Sequence, residues 1–156
     1  MKVIIEIAYK DNIFDAIGEG VKKDIADLGM SSASNIKFSQ LYRIDGALKK
    51  DKLNFICNDI LSDSITQRFL FAGGKKKSDG SHFIEVWYKK GVTDAVGESV
   101  KKAIEDVGIK GIKSVMTGKK YSFDGHLAER ELKEIAAKLL ANTLVEDYYI
   151  DENPHQ

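Results

Sequence analysis

The sequence contains very little cysteine and histidine, and it has no long apolar run. A single cysteine, Cys57, cannot form an intramolecular disulfide, which excludes a disulfide-stabilised secreted domain and indicates a reducing compartment. Three histidines and one cysteine are too few and too scattered for a His/Cys zinc site. No stretch of about 18 apolar residues occurs, so the sequence carries no signal for a transmembrane helix.

The sequence also lacks an excess of charge of one sign. It has 24 basic and 24 acidic residues in 156, whereas nucleic-acid-binding modules usually carry a basic excess to displace counterions from phosphates. We therefore expect no nucleic-acid partner. The first six residues include Glu6 where a signal peptide needs apolar residues, so we expect a cytoplasmic protein with no membrane partner.

An internal repeat organises the chain. At an offset of 79 residues the register holds without a gap from Val3 to Ala72, and 21 of the 70 aligned positions are identical. Chance similarity does not keep one register over that length, so we infer a duplication. We expect repeat 1 at 1–72, a linker at 73–81, repeat 2 at 82–152 and a tail at 153–156.

The expected linker is rich in glycine and lysine, which favours a flexible, solvated connection over a phosphate-binding patch.

The two halves of the sequence carry opposite net charges, although the whole sequence has a net charge of zero. Residues 1–78 hold 13 basic and 10 acidic groups, a net charge of +3, and residues 79–156 hold 11 and 14, a net charge of −3. Halves of opposite charge attract each other.

The repeat reads as alternating strands and helices. In repeat 2, Phe83–Tyr88 is rich in β-branched and aromatic residues, and Asp94 is a typical helix N-cap. Helical spacing then follows until Gly108, at Val96, Val100, Ile104 and Val107. Repeat 1 has the same pattern with Asp15 as its N-cap.

Two short strands are expected next, over 112–117 and 119–123, with a turn at Gly118 between them. A second helix over 128–139 and a strand over 144–150 complete the order βαββαβ. We therefore predict an α+β fold made of two ferredoxin-like repeats. Each would carry helices on one face of a four-stranded antiparallel sheet, and the two would form an intramolecular pseudo-dimer.

The sheet face away from the helices is predicted to be an interface. By the period of two along a strand, Phe83 and Trp87 share this face, and Ile4 occupies it in repeat 1. These side chains are too apolar for a fully solvated surface, so the repeats should pack together or on partners. The alternative is that Trp87 is a partly exposed aromatic without a partner.

No motif for a nucleotide loop, a metalloprotease or a nucleophile elbow occurs. Cys57 lies on an apolar helix stripe and is expected to be a core thiol. Glu146 and Asp147 are adjacent on a strand and point to opposite faces, so they cannot easily share a metal or a proton. Gly118-Lys119 could bind an anion or be an ordinary hairpin pair. We expect no catalytic residue and no metal site.

The second repeat carries most of the residues that match a known family pattern. The run from Leu139 to Tyr148, together with Gly118-Lys119, Asp94–Gly97 and Gly108, resembles the PurS family. PurS is the small subunit of phosphoribosylformylglycinamidine synthase, which acts in purine biosynthesis. Repeat 1 departs from the pattern, with Ser39-Gln40 in place of Gly118-Lys119, and it resembles a degenerate copy.

The resemblance implies a non-catalytic subunit of a carbon–nitrogen ligase complex, not active alone. PurS-like proteins are about one repeat long and pair as dimers, so the tandem chain resembles a fused dimer. It would bridge a PurL-like synthetase subunit and a PurQ-like glutaminase subunit, with self-association as a further possibility. Those partners would use ATP, magnesium and glutamine, and this chain would hold no cofactor. A stand-alone metabolite-binding module is the alternative. The predicted partner contacts are Asp94, Gly97, Gly118, Lys119, Asn142, Glu146 and Asp147.

Overall fold

The computed structural model describes residues 1–30, 35–71 and 81–155, so most of the expected linker lies outside the described residues. Each repeat contributes three strands and two helices. The elements of repeat 1 are β1 (Lys2–Tyr9), α1 (Ala16–Asp27), β2 (Asn35–Gly46), α2 (Lys50–Phe55) and β3 (Gln67–Phe71). Those of repeat 2 are β4 (Ser81–Tyr88), α3 (Ala95–Asp106), β5 (Ile112–Asp124), α4 (Glu129–Ile135) and β6 (Glu146–Ile150). Helices α2 and α4 continue as π-helical segments, Ile56–Leu61 and Ala136–Leu140.

The six strands form one antiparallel sheet in the order β3-β1-β2-β5-β4-β6. The two repeats meet where β2 pairs with β5 at the centre of the sheet. Gln40 lies directly opposite Lys119, and these two residues are equivalent in the repeats. A pseudo-two-fold axis therefore passes between them. The predicted α+β class and the antiparallel pseudo-dimer of two repeats are confirmed.

The division of the strands differs from the expectation. Residues 112–117 and 119–123 belong to one continuous strand, β5, and β2 is its counterpart in repeat 1. Each repeat is therefore β-α-β-α-β, and the two share one six-stranded sheet in place of two four-stranded sheets. Gly118 is not a turn residue, since it lies inside β5 and pairs with Leu41 on one side and Trp87 on the other. A glycine inside a strand also marks a close approach by another group, which is its role here.

The first helix of each repeat begins as its sequence predicts. The Asp15 carboxylate accepts a hydrogen bond from the Gly18 N–H, and Asp94 accepts one from the Gly97 N–H, both at 2.8 Å. These bonds satisfy N–H groups that a helix start leaves without an intrahelical partner. Helix α3 ends before Gly108, whose φ of 88° is the left-handed conformation that glycine adopts readily.

Both hydrophobic cores are built from side chains of both repeats. One contains Val21, Ile25 and Ile36 of repeat 1 among residues of repeat 2. The other contains Ile104, Ile109 and Val115 of repeat 2 among residues of repeat 1, including Ile5, Ile7, Ile44, Ile56, Cys57 and Leu61. The first helix of each repeat therefore packs into a core that is formed mainly by the other repeat. Neither core is complete without the partner repeat.

Cys57 is the core thiol that its helix position predicts. Its side chain is fully buried, and burial raises the pKa of the thiol to about 11. Because the thiolate is the reactive form of cysteine, this thiol is protected at neutral pH.

Candidate partner-binding sites

The carboxylate of Asp94 is partly buried at the junction of α3 and β5. Besides its bond from the Gly97 N–H, it accepts hydrogen bonds from the Thr117 backbone N–H at 2.6 Å and the Thr117 hydroxyl at 3.0 Å. A Cβ at Gly97 would collide with the carbonyl oxygen of Val115, so only glycine allows this close packing. The pair Asp94 and Gly97 therefore fixes the helix to the strand. Its predicted contact with a partner stays a prediction.

Gly118 makes room for the single tryptophan of the chain. It pairs with Trp87 across β4 and β5, and a Cβ at Gly118 would lie only 2.6–2.7 Å from three carbons of the indole ring. The equivalent pair in repeat 1 is Ala8 and Ser39, which also face each other across two strands. One repeat therefore pairs a large residue with glycine, and the other pairs a small residue with serine. Lys119 is exposed beside the pseudo-two-fold axis.

The predicted interface residues do share one face of the sheet, the face away from the helices. Trp87 is 1% exposed and Ile4 is 7% exposed, while Phe83 is partly buried. The two repeats do not stack through this face, because they join edge to edge through β2 and β5. A contact of Ile4, Phe83 and Trp87 with another protein stays a prediction.

The segment that follows β6 covers part of this face. The ring of His155 packs edge-on against Trp87, with ring centroids 4.5 Å apart. Nδ1 of His155 lies 2.8 Å from Nη1 of Arg43, a residue of repeat 1. Arginine is always a donor, so the histidine nitrogen must be the neutral acceptor. Burial, with the nearby charges of Arg43 and Lys2, lowers the pKa of His155.

A buried charge cluster lies beside the tryptophan on the same face. The Trp87 indole N–H donates to Oε1 of Glu85 at 2.9 Å, and Glu85 is 4% exposed. Burial raises the pKa of Glu85, although the indole hydrogen bond and the charge of Lys120 oppose the shift. Lys120 lies 3.4 Å from Glu6 of repeat 1 and 4.8 Å from the ring centre of Phe83. This cluster joins the two repeats by charge as well as by strand pairing.

Asn142 holds the turn that leads into β6. Its side-chain oxygen accepts a hydrogen bond from the Leu144 N–H at 3.2 Å. The carboxylate of Glu146 accepts one from the Asn142 N–H at 2.8 Å. Asp147 points to the other face of the strand, where it lies 3.3 Å from the Lys89 ammonium. The predicted residues Asn142 and Glu146 therefore meet at one turn, and Asp147 lies next to it in sequence but on the other face of β6.

Repeat 1 keeps this turn with different residues. The Asp63 carboxylate accepts from the Ile65 N–H, and the Gln67 side-chain oxygen accepts from the Asp63 N–H, both at 2.9 Å. Aspartate for asparagine and glutamine for glutamate each keep an oxygen at the position required. Repeat 1 is therefore less degenerate at this turn than its resemblance to the family predicts. The spacing of four between two oxygen-bearing side chains is the signal that identifies the turn.

Two related clefts flank the sheet. One has a volume of about 590 Å³ and is lined by Tyr9, Lys37, Arg68 and Ser122 among others. The other, about 550 Å³, is lined by the equivalent residues of the opposite repeat, namely Tyr88, Met116, Asp147 and Arg43. Each cleft thus takes one wall residue from the long strand of the other repeat. His155 occupies the wall of the second cleft.

Within residues 1–30, 35–71 and 81–155, no three His, Cys, Asp or Glu side chains are grouped so that they could hold a metal ion. In the same ranges, no helix has the length and apolar character needed to span a membrane.

The turns at 63–67 and 142–146 each lead into an edge strand of the sheet, and we call them the edge turns. The fold and these sites define a tandem α+β pseudo-dimer with two equivalent edge turns and two equivalent clefts. A family model described as PurS, phosphoribosylformylglycinamidine (FGAM) synthase, matches residues 2–72 and again 82–153. The chain belongs to the PurS family.

Two individual proteins are similar to parts of this chain. The phosphoribosylformylglycinamidine synthase subunit PurS of Archaeoglobus fulgidus is 40% identical over 67 residues, which cover 40% of this chain and 84% of that protein. The crystal structure of Methanocaldococcus jannaschii PurS is 25% identical, with a TM-score of 0.33. It covers 45% of this chain and 90% of that one. Its title describes a subunit of formylglycinamide ribonucleotide amidotransferase in the purine biosynthetic pathway.

Proposed function

We propose that this chain is the non-catalytic assembly subunit of phosphoribosylformylglycinamidine synthase. It bridges a PurL-like synthetase subunit and a PurQ-like glutaminase subunit in the cytoplasm. The match of the family to both repeats supports this function. The same match favours it over a stand-alone metabolite-binding module.

The geometry that carries the proposal is the continuous sheet. Strands β2 and β5 pair along almost their whole length, and each hydrophobic core contains residues of both repeats. The two edge turns are therefore held at a fixed separation by one rigid body. A rigid body with two equivalent ends suits a bridge between two proteins, because little conformational freedom is lost on binding.

In this function the chemistry belongs to the partners. The synthetase subunit converts formylglycinamide ribonucleotide to the amidine with ATP and magnesium, and the glutaminase subunit releases ammonia from glutamine. This chain positions the two, and it holds no cofactor of its own.

The test is sedimentation of the purified chain with the synthetase and glutaminase subunits of the same organism, in the presence of ATP, magnesium and glutamine. We expect one particle that contains all three proteins. In a mixture without this chain, the synthetase and glutaminase subunits should sediment separately. The proposal fails if the chain sediments alone in every mixture.

A further inference from the structure

The chain reverses direction after β6 and returns across the face of the sheet that lies away from the helices. Asp147, near the start of β6, pairs with Trp87, yet His155 contacts Trp87 again after β6 has ended. Residues 151–155 therefore run back along the sheet, and we call them the strap. Asp151, at its base, has a φ of 55°, a left-handed conformation in which the chain can turn sharply.

The base of the strap is fixed to β4 by three contacts of Asp151. Its N–H donates to the Phe83 carbonyl at 2.8 Å, and its carboxylate accepts from the Phe83 N–H at 3.0 Å. The other carboxylate oxygen lies 2.9 Å from Nδ1 of His82. Any movement of the strap would therefore begin after Asp151.

The tip of the strap docks on both repeats. The His155 ring packs edge-on against Trp87 of repeat 2, and its Nδ1 accepts from Nη1 of Arg43 of repeat 1 at 2.8 Å. In the opposite half of the pseudo-dimer, the positions equivalent to Trp87 and Arg43 carry Ala8 and Ser122. Neither residue offers an aromatic ring or a cation, so this docking site is built in one half only.

The docked tip leaves one buried donor unsatisfied. Within the described residues, Nε of Arg43 is buried and has no hydrogen-bond acceptor in good alignment, although the Asp45 carboxylate lies 3.2 Å away. A buried donor without an acceptor costs free energy, and release of the tip would return this donor to water. The strap is therefore held firmly at its base and less firmly at its tip.

The surroundings of His155 are cationic. Its Nδ1 faces the Arg43 guanidinium, so a proton on this nitrogen would place two donors and two positive charges against each other. Three ammonium groups lie near the ring or line the same cleft, namely Lys2, Lys89 and Lys90. The cleft also presents two phenol groups, those of Tyr88 and Tyr149.

The carboxylates near His155 are already engaged. Asp45 lies 3.2 Å from Nε of Arg43, and Asp147 lies 3.3 Å from the Lys89 ammonium. Of three others, two accept hydrogen bonds within the fold and the third is exposed to solvent, namely Asp94, Glu85 and Glu152, respectively. An imidazolium at the docked position would have to compete for these partners.

We propose that the strap is a pH-sensitive switch. It is docked on Trp87 and Arg43 while His155 is neutral, and it releases its tip, with Asp151 as the hinge, when His155 is protonated. The release exposes the indole ring of Trp87 to solvent and frees the guanidinium of Arg43.

The direction of the switch follows from the lowered pKa of His155. A histidine whose pKa in the folded chain lies below its ordinary 6.5 contributes stability above pH 6.5, and this contribution is lost as pH falls through the lowered value. The strap is therefore closed at neutral pH and opens in mildly acidic solution. This behaviour does not depend on the proposed function, since it needs no other protein.

The experiment is quenching of Trp87 fluorescence by acrylamide in the full chain, from about pH 8 to about pH 5, the range in which histidine titrates. Trp87 is the only tryptophan, so the quenching constant reports the access of solvent to this one ring. Far-ultraviolet circular dichroism over the same range checks that the chain stays folded.

Three variants separate the strap from other titrating groups. His155→Gln removes the titrating group and keeps a side-chain oxygen that can accept from Arg43. His126→Gln is the matched control, because His126 is exposed and its ring contact is with another histidine. Glu85→Gln keeps an acceptor for the indole N–H and removes the other titrating group that contacts the ring.

We expect the quenching constant to rise on acidification, with a midpoint below pH 6.5, in the wild-type chain and in the His126→Gln and Glu85→Gln variants. In His155→Gln it should keep one value over the whole range, because no charge develops at the tip. A constant value in the wild-type chain, or the same rise in His155→Gln, would overturn the inference. A rise that coincides with loss of circular dichroism would also overturn it, because the chain would then be unfolding.

Discussion

Gly118→Ala tests whether the close approach of Trp87 explains the glycine. The added Cβ would lie 2.6–2.7 Å from three indole carbons, roughly 1 Å closer than van der Waals contact allows. Trp87 is only 1% exposed and contacts both the His155 ring and the Glu85 carboxylate, so a shift of the indole would disturb those contacts. Overpacking of this kind costs about 1–3 kcal/mol.

The sign of the effect should reverse when the tryptophan is removed. In a Trp87→Ala background the obstacle is gone, and alanine is favoured over glycine in a strand by roughly 0.5–1 kcal/mol. Gly118→Ala should therefore stabilise this background. The coupling free energy between the two sites should be about 1.5–4 kcal/mol, the difference between these two effects. Repeat 1 already carries the small pair, Ala8 with Ser39.

The assay is a double-mutant cycle from chemical denaturation followed by far-ultraviolet circular dichroism, since one arm lacks the only tryptophan. Trp87→Leu replaces Trp87→Ala if the alanine variant does not fold. Gly20→Ala is the matched control, because a Cβ at Gly20 meets no atom within 4 Å and the change should stabilise α1 in every background. An equal cost of Gly118→Ala with and without Trp87 would refute the explanation.

Three further predictions follow from the internal contacts. Repeat 2 expressed alone should be unfolded or should self-associate, because its core needs the first helix of repeat 1; a folded monomer by sedimentation would contradict this. Asp94→Ala should cost about 2–4 kcal/mol in denaturation, and more than Asp15→Ala, because Asp94 also accepts from the Thr117 hydroxyl. The pKa of His155 is lowered from 6.5, so its docking stabilises the chain at neutral pH and weakens as pH falls below about 6.5. The change in Trp87 fluorescence in that window should be smaller in His155→Gln, where Glu85, whose pKa is raised, is the remaining titrating group that contacts the indole.

The repeat, the helix starts and the core thiol could all be predicted from the sequence, because each depends on local rules. Asp94 and Gly108 mark the two ends of α3, and the apolar spacing between them sets its buried face. Local patterns therefore predict most of the order of strands and helices without any tertiary contact. The same rules failed at Gly118, where the reason for glycine is a ring on another strand.

The candidate site could be predicted only in part. Asn142 and Glu146 were identified from the family pattern, but their equivalents in repeat 1, Asp63 and Gln67, were not. The two turns differ in residue type although their hydrogen bonds are the same. The packing of His155 on Trp87 also lay beyond the sequence, because a contact between a strand and the segment that follows β6 leaves no periodic signal.

The central claim is that this chain joins a synthetase to a glutaminase. The most direct measurement is the rate of glutamine-dependent amidine formation by the two purified subunits, with ATP and magnesium, as this chain is titrated in. We predict a rate that rises with the chain and saturates when the subunits are fully assembled. A full rate in its absence, or no change on its addition, would contradict the account.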